Sequence, residues 1–301
     1  MVCFHVLRSL VAFLLPHRWQ GQLADATRLL AAEHPPRHAL EGEVDAWLAS
    51  PGWQVRNAAV KVVAHLRDEP RYPRLVEKLA DRSEAGIVRR NAAEAIARVG
   101  LATPDAREAL RKALADPYWE VRAAACNALA RLFEPDDNLE NALLAVLYAP
   151  KKQNGSGPNT HIPSARRGQT GTASPGSRQR VREDNFEVRM AIAEALGHLG
   201  VRPVAFDALL ELTSDDSWPV RSQAAVALAH FAARHRGFFD RARERLRAVD
   251  RQSDGAVSYF VHRDMLSRAL MATHGTHADM EPDAFRSMYL DPKAGWNHVR
   301  R

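Results

Sequence analysis

The chain has 301 residues, 46% hydrophobic and 26% charged, which supports a buried core and excludes a chain disordered throughout. Two cysteines, Cys3 and Cys126, exclude a disulfide framework and fit a reducing compartment, so the expected location is cytoplasmic. Lys and Arg number 42 against 36 Asp and Glu, a net charge of +6 whose source is a single stretch rather than the whole chain.

Residues 1–20 open with MVCFHVLRSLVAFLLPHRW. The apolar run Ser9 to Leu15, bounded by Arg8 and Pro16, is too short to span a bilayer. Three readings stay open: a helix covering the first repeat, a signal or anchor, or translation from an upstream start.

From residue 50 onward one pattern recurs. Val-Arg pairs fall at 55–56, 88–89, 121–122, 188–189 and 220–221. The steps are 33, 33, 67 and 32, and the long step equals two units or one unit with an insertion. Five residues before each Val stand Ser50, Ser83, Asp116, Glu183 and Asp215, and Ser and Asp are good N-caps. Two before it stand Trp53, Gly86, Trp119, Phe186 and Trp218, a column expected to bury each helix against its neighbours. Val121, Ala125 and Leu129 and their counterparts are spaced four and four, on one helical face. Each copy is therefore expected to begin with a capped helix of about sixteen residues.

A second helix follows each time: RYPRLVEKLA (71–80), TPDAREALRKALAD (103–116), NLENALLAVLYA (138–149) and RPVAFDALLELT (202–213). Thr103 and Pro104 are a cap and a first helical residue. Neither helix can bury its stripe alone, so the units must stack into a solenoid. Its concave face is expected to be lined by these second helices.

The pattern D-x-x-W-x-V-R-x-x-A-x-x-A-L, complete in DPYWEVRAAACNAL, resembles HEAT-like repeats, in particular the short variety of the phycobilin-lyase type. Copies two and four depart from it, with Gly86 and Phe186 in the Trp column and Ser83 in place of an acid. The resemblance implies an all-α, right-handed α-solenoid of about six helical hairpins. It also implies that Arg56, Arg89, Arg122, Arg189 and Arg221 form a structural ladder with acids of their own or neighbouring units. Asp116/Arg122 and Asp215/Arg221 have the matching spacing. Nine residues after each Arg stand His65, Arg98, Arg131, His198 and His230. Cations there offset the helix dipole, or else make a ridge facing an acidic partner.

Residues 150–182 are rich in Gly, Ser, Pro, Thr and Asn and nearly devoid of apolar side chains, the composition of a disordered loop. They hold seven cations, Lys151, Lys152, Arg166, Arg167, Arg178, Arg180 and Arg182, and no acid, leaving 35 cations against 36 acids elsewhere. The loop is either an inert insertion or a tether for a polyanion or acidic partner. It offers no aromatic residue to stack on bases. Further on, RHRGFFDRARERLRAVDR (234–251) sets Arg241 and Arg245 on one face, solvated or phosphate-contacting.

Residues 254–273 read as a degenerate sixth unit, and 282–290 as a short capping helix. The chain thus divides into 1–20, repeats over 21–149, the insertion 150–183, repeats over 184–273, and a C-terminal tail 274–301. No phosphate-binding loop, dinucleotide loop, G-x-S-x-G or H-E-x-x-H occurs. The His-Glu pairs with which the HEAT-type deoxyhypusine hydroxylase binds iron are also absent. His274, His277 and Asp279 form the nearest metal-ligand set, and Cys126 is expected to be buried rather than nucleophilic. The expected function is a non-catalytic scaffold, without cofactor, that binds a protein partner through its concave face. Nucleic-acid binding through 150–182 and 234–251 is the alternative, and a lyase-like chaperone holding a cofactor the second. No membrane partner is expected.

Overall fold

The computed structural model describes residues 17–31, 42–148 and 183–252. The basic stretch 150–182, the degenerate unit 254–273 and the set His274, His277 and Asp279 lie outside the described residues.

Among the described residues all regular structure is helical. The helices are α1 (His17–Ala31), α2 (Glu43–Leu48), α3 (Trp53–Leu66), α4 (Tyr72–Ala80), α5 (Gly86–Val99) and α6 (Pro104–Ala113). They continue as α7 (Trp119–Leu132), α8 (Asp137–Tyr148), α9 (Phe186–Leu199), α10 (Pro203–Leu212), α11 (Trp218–Arg234) and α12 (Phe239–Gln252). The five Val-Arg pairs sit on α3, α5, α7, α9 and α11.

Each Val-Arg helix stacks along its length on the next, α3 on α5, then α7, α9 and α11, with α1 against α3. Each shorter helix packs more on the Val-Arg helix that follows it than on the one before. The packing hairpins are therefore α2–α3, α4–α5, α6–α7, α8–α9 and α10–α11, with α1 and α12 flanking them. Successive short helices touch far less than successive Val-Arg helices do. An array held tight along one layer and splayed along the other curves toward the tight layer. The Val-Arg helices thus line the inner face, and the expectation that the second helices would do so is corrected.

The inner layer closes because its contact residues are small. Val55, Ala59 and Val63, and likewise Val121, Ala125 and Leu129, are fully buried, as are the equivalent residues of α5, α9 and α11. A Cβ on Gly197 would meet the Ala227 Cα at 2.9 Å, so α9 and α11 approach nearly backbone to backbone. Gly100 ends α5 with φ 91°, a left-handed conformation that glycine adopts without a Cβ clash. Thr103 then accepts from the Ala106 N–H and starts α6.

Helix starts differ from expectation. The Val-Arg helices begin at the Trp column, three residues after the residues read as caps. Asp116 and Asp215 instead shape the preceding turn, each accepting from a main-chain N–H two residues on (Tyr118 and Ser217, both 2.9 Å). The Trp column is not core either. Trp53, Phe186 and Trp218 are 42, 42 and 40% exposed, and Trp119 is half-buried. Two residues correspond to about 200° of helical rotation, so this column faces away from the buried Val.

The main-chain N–H of Glu183 donates to the Leu147 carbonyl at 3.1 Å. The described residues on either side of 149–182 therefore meet, and α7 stacks directly on α9. The step of 67 is one repeat plus an insertion, with no unit skipped.

Candidate functional site

The Val-Arg arginines form an internal ladder. Four of the five guanidinium groups take the acid of the next hairpin's turn in a fork: Arg56 with Glu84 (2.7 and 2.6 Å), Arg89 with Asp116 (2.9 and 3.0 Å), Arg122 with Glu183 (3.0 and 2.7 Å), and Arg189 with Asp215 (2.9 and 2.8 Å), whereas Arg221 donates to the Asp215 and Asp216 carbonyls. The remaining nitrogen donates to carbonyls of its own turn, as Arg122 does to Asp116 O at 2.8 Å. Asp116 and Arg122 thus meet through the main chain, and so do Asp215 and Arg221, also at 2.8 Å. The acid of the second copy is Glu84, one residue after Ser83 in the aligned column.

Burial raises the Asp215 carboxyl, but the Arg189 fork and other hydrogen bonds outweigh it and leave it below its ordinary range. Glu84 is lowered in the same way, burial being outweighed by Arg56, the Ala85 N–H and Lys78. These side chains are spoken for and offer nothing to a ligand.

Arg241 and Arg245 also have internal partners. Arg241 pairs with Asp207 at 3.1 Å and lies over the Phe206 ring at 4.9 Å, while Arg245 donates to Thr213 Oγ1 at 2.7 Å and to Ser214. They fasten α12 to the short helix α10 and its end. The column at the ends of the Val-Arg helices does not form an even ridge. Arg98 and Arg131 are exposed and His65 and His198 half-buried, whereas His230 is buried against the His198 ring at 4.8 Å. Cys126 is fully buried, and burial pushes its thiol up to about 12, so it is no thiolate nucleophile. No three His, Cys, Asp or Glu side chains converge on a metal-sized point among the described residues.

Among the clefts of the described surface, a groove of about 520 Å³ crosses the exposed face of the inner layer. The rings of Trp119 and Phe186 mark the end where α7 and α9 begin. Ala123, Ala124, Met190 and Ala191 provide an apolar floor, with Glu94, Glu120, Glu187 and Glu194 set among them. Arg90 and Arg131 are the cations that line it. The floor is built from residues two and three positions after the Val of α7 and α9: Ala123 and Met190 are half-buried, and Ala124 and Ala191 are nearly covered. The outer face has a different character, being laced with short-range ion pairs such as Arg74–Glu77 at 2.9 Å and Arg111–Glu108 at 2.7 Å.

A model of HEAT repeats matches residues 40–130, 72–148 and 169–232. The chain belongs to the HEAT-repeat family. A HEAT repeat-containing taxis protein of Halobacterium salinarum is 30% identical over 155 residues, which are 52% of this chain and 34% of that protein. The chain thus spans about a third of the length of that curated relative. Among solved structures, an engineered protein is similar with TM-score 0.46 and 19% identity, over 77% of this chain and 95% of the other. The complex of CpcE and CpcF of phycocyanin lyase from Nostoc sp. is similar with TM-score 0.37 and 18% identity, over 80% of this chain and 97% of the other.

Proposed function

We propose that this HEAT-repeat chain is a non-catalytic scaffold that binds a segment of a protein partner in the groove across α5, α7 and α9. One observation carries the reading. Large rings stand at the starts of α7 and α9 beside an apolar floor, Trp119 half-buried and Phe186 42% exposed, whereas Trp47, Tyr72, Phe206 and Phe231 are buried in the core. Aromatic side chains are common anchors of protein interfaces because they bury much area with few rotatable bonds. No described helix is long and apolar enough to cross a membrane. Cysteine usage supports placing the scaffold in the cytoplasm.

The test is chemical cross-linking followed by capture of the tagged chain. Asn127 is exposed on the groove, and Asn127→Trp fills it without touching the core. Glu108→Gln on the outer face is the control. The reading expects cross-linked proteins to be lost with Asn127→Trp and kept with Glu108→Gln, with or without nuclease. Equal recovery by both variants would sink it.

A further inference from the structure

The groove has a charge pattern that selects among protein segments. Arg90 is held by Glu94 at 3.0 Å, which neutralises that pair. Around Trp119 and Phe186 stand Glu120 and Glu187, each directly following its ring in sequence. Arg131 lies eleven residues beyond Glu120 on α7, about 17 Å along the axis. Salt screens it from this rim, because the Debye length is about 8 Å at physiological ionic strength. The rim is therefore locally acidic and aromatic, twice over, on adjacent helices.

Glu120 and Glu187 occupy the second positions of α7 and α9, where a carboxylate offsets the helix dipole. That role accounts for the carboxylates but not for the rings beside them, Trp119 half-buried and Phe186 42% exposed. A ring face and a carboxylate together fit a guanidinium or ammonium, which lies over the ring and donates to the oxygens. Adjacent packed helices lie about 8–10 Å apart, so the two subsites repeat at that distance. A partner helix with cations seven residues apart presents them about 10.5 Å apart, a near match.

Building on the groove reading above, we infer that its occupant is a basic segment of a protein partner, with Arg or Lys side chains seated at Trp119/Glu120 and Phe186/Glu187. The basic stretch 150–182 of this chain is present in every variant below and is common to all arms.

The experiment uses the full chain and labelled peptides of about 20 residues, long enough to cross three helix spacings. The peptides share an alanine-rich frame and carry, seven residues apart, Arg, Lys, Gln or Glu. Binding is read by fluorescence anisotropy at about 50 and 300 mM salt. The Arg and Lys peptides are expected to bind and to weaken with salt. The Glu120→Gln/Glu187→Gln pair should weaken them by about tenfold or more. Trp119→Ala should weaken them as well, and each variant's urea midpoint confirms that it is folded. Undiminished binding of the Arg peptide to the Gln/Gln variant would overturn the inference. Gln or Glu peptides that bind more tightly, and are expelled by Asn127→Trp, would refute the cationic occupant but leave the groove reading standing. If no peptide binds and cross-linked partners also survive Asn127→Trp, both fail.

Discussion

Asp116 is a deeply buried acid of the ladder, and neutralising it tests how the repeats are held together. The residue is 3% exposed and its carboxylate accepts four bonds: two from Arg89, one from Arg82 at 3.1 Å and one from the Tyr118 N–H. Arg89 is itself 2% exposed, and its guanidinium has the Glu84 carbonyl as its other acceptor and stacks 5.3 Å from the Tyr118 ring. Asp116→Asn keeps the shape and the turn bond but turns an NH2 toward a fork of N–H donors. Two charge-assisted bonds at about 1.5–3 kcal/mol each are weakened or lost. Breaking one side of a buried pair costs about 3–5 kcal/mol, and the two figures agree. Asp215→Asn should cost less, because Arg189 also reaches Asp216 at 3.0 Å. The assay is urea unfolding followed by helical circular dichroism, since guanidinium salt would screen the pair. A nearest-neighbour array cut between α5 and α7 should also unfold in two steps, or with a lower m-value. A loss below about 1 kcal/mol with an unchanged m-value would show that the ladder contributes little, as exposed pairs do.

Glu140 is fully buried on α8 and accepts from the Val201 and Arg202 N–H groups and from Arg202 Nε, all within 2.9 Å. It ties α8 to the turn before α10 across the insertion, so Glu140→Gln should lower stability by about 2–3 kcal/mol in urea unfolding. Gly197→Val should cost at least about 1–3 kcal/mol by overpacking against Ala227, read as a lower thermal midpoint. Gly86→Ala should cost less, because its neighbour is the movable Tyr118 ring, 53% exposed. The carboxyls of Glu84 and Asp215 are lowered from ordinary values of 4.5 and 3.8. Below those values the unfolded chain takes up protons that the folded chain does not. The ladder's stability is therefore full above about pH 5 and drains away as pH falls through the lowered values. Acid titration of the urea midpoint checks this, and a midpoint flat down to about pH 3 would contradict it.

Much of the fold was legible because a repeat writes the same packing constraint several times. The Val, small and aliphatic columns are the buried stripe of α3, α5, α7, α9 and α11, since spacing of four and four leaves a helix one way to face the core. The Thr103–Pro104 start and the single insertion inside the step of 67 follow from local chemistry and arithmetic. Helical geometry also held a sign that the Trp column could not share the Val face, although the recurrence of its rings reads as core. The tertiary structure alone decided three matters. It decided which carboxylate Arg56, Arg89, Arg122 and Arg189 take, because the partner belongs to the next hairpin, 26 to 61 residues away. It decided that the Val-Arg layer lies inside the curve, because that depends on how closely small residues let successive helices stack. It also assembled the candidate groove from α5, α7 and α9, where Trp119, Glu120, Phe186 and Glu187 become neighbours. Sequence spacing orders residues along one helix, whereas a surface shared by several helices exists only once they are packed.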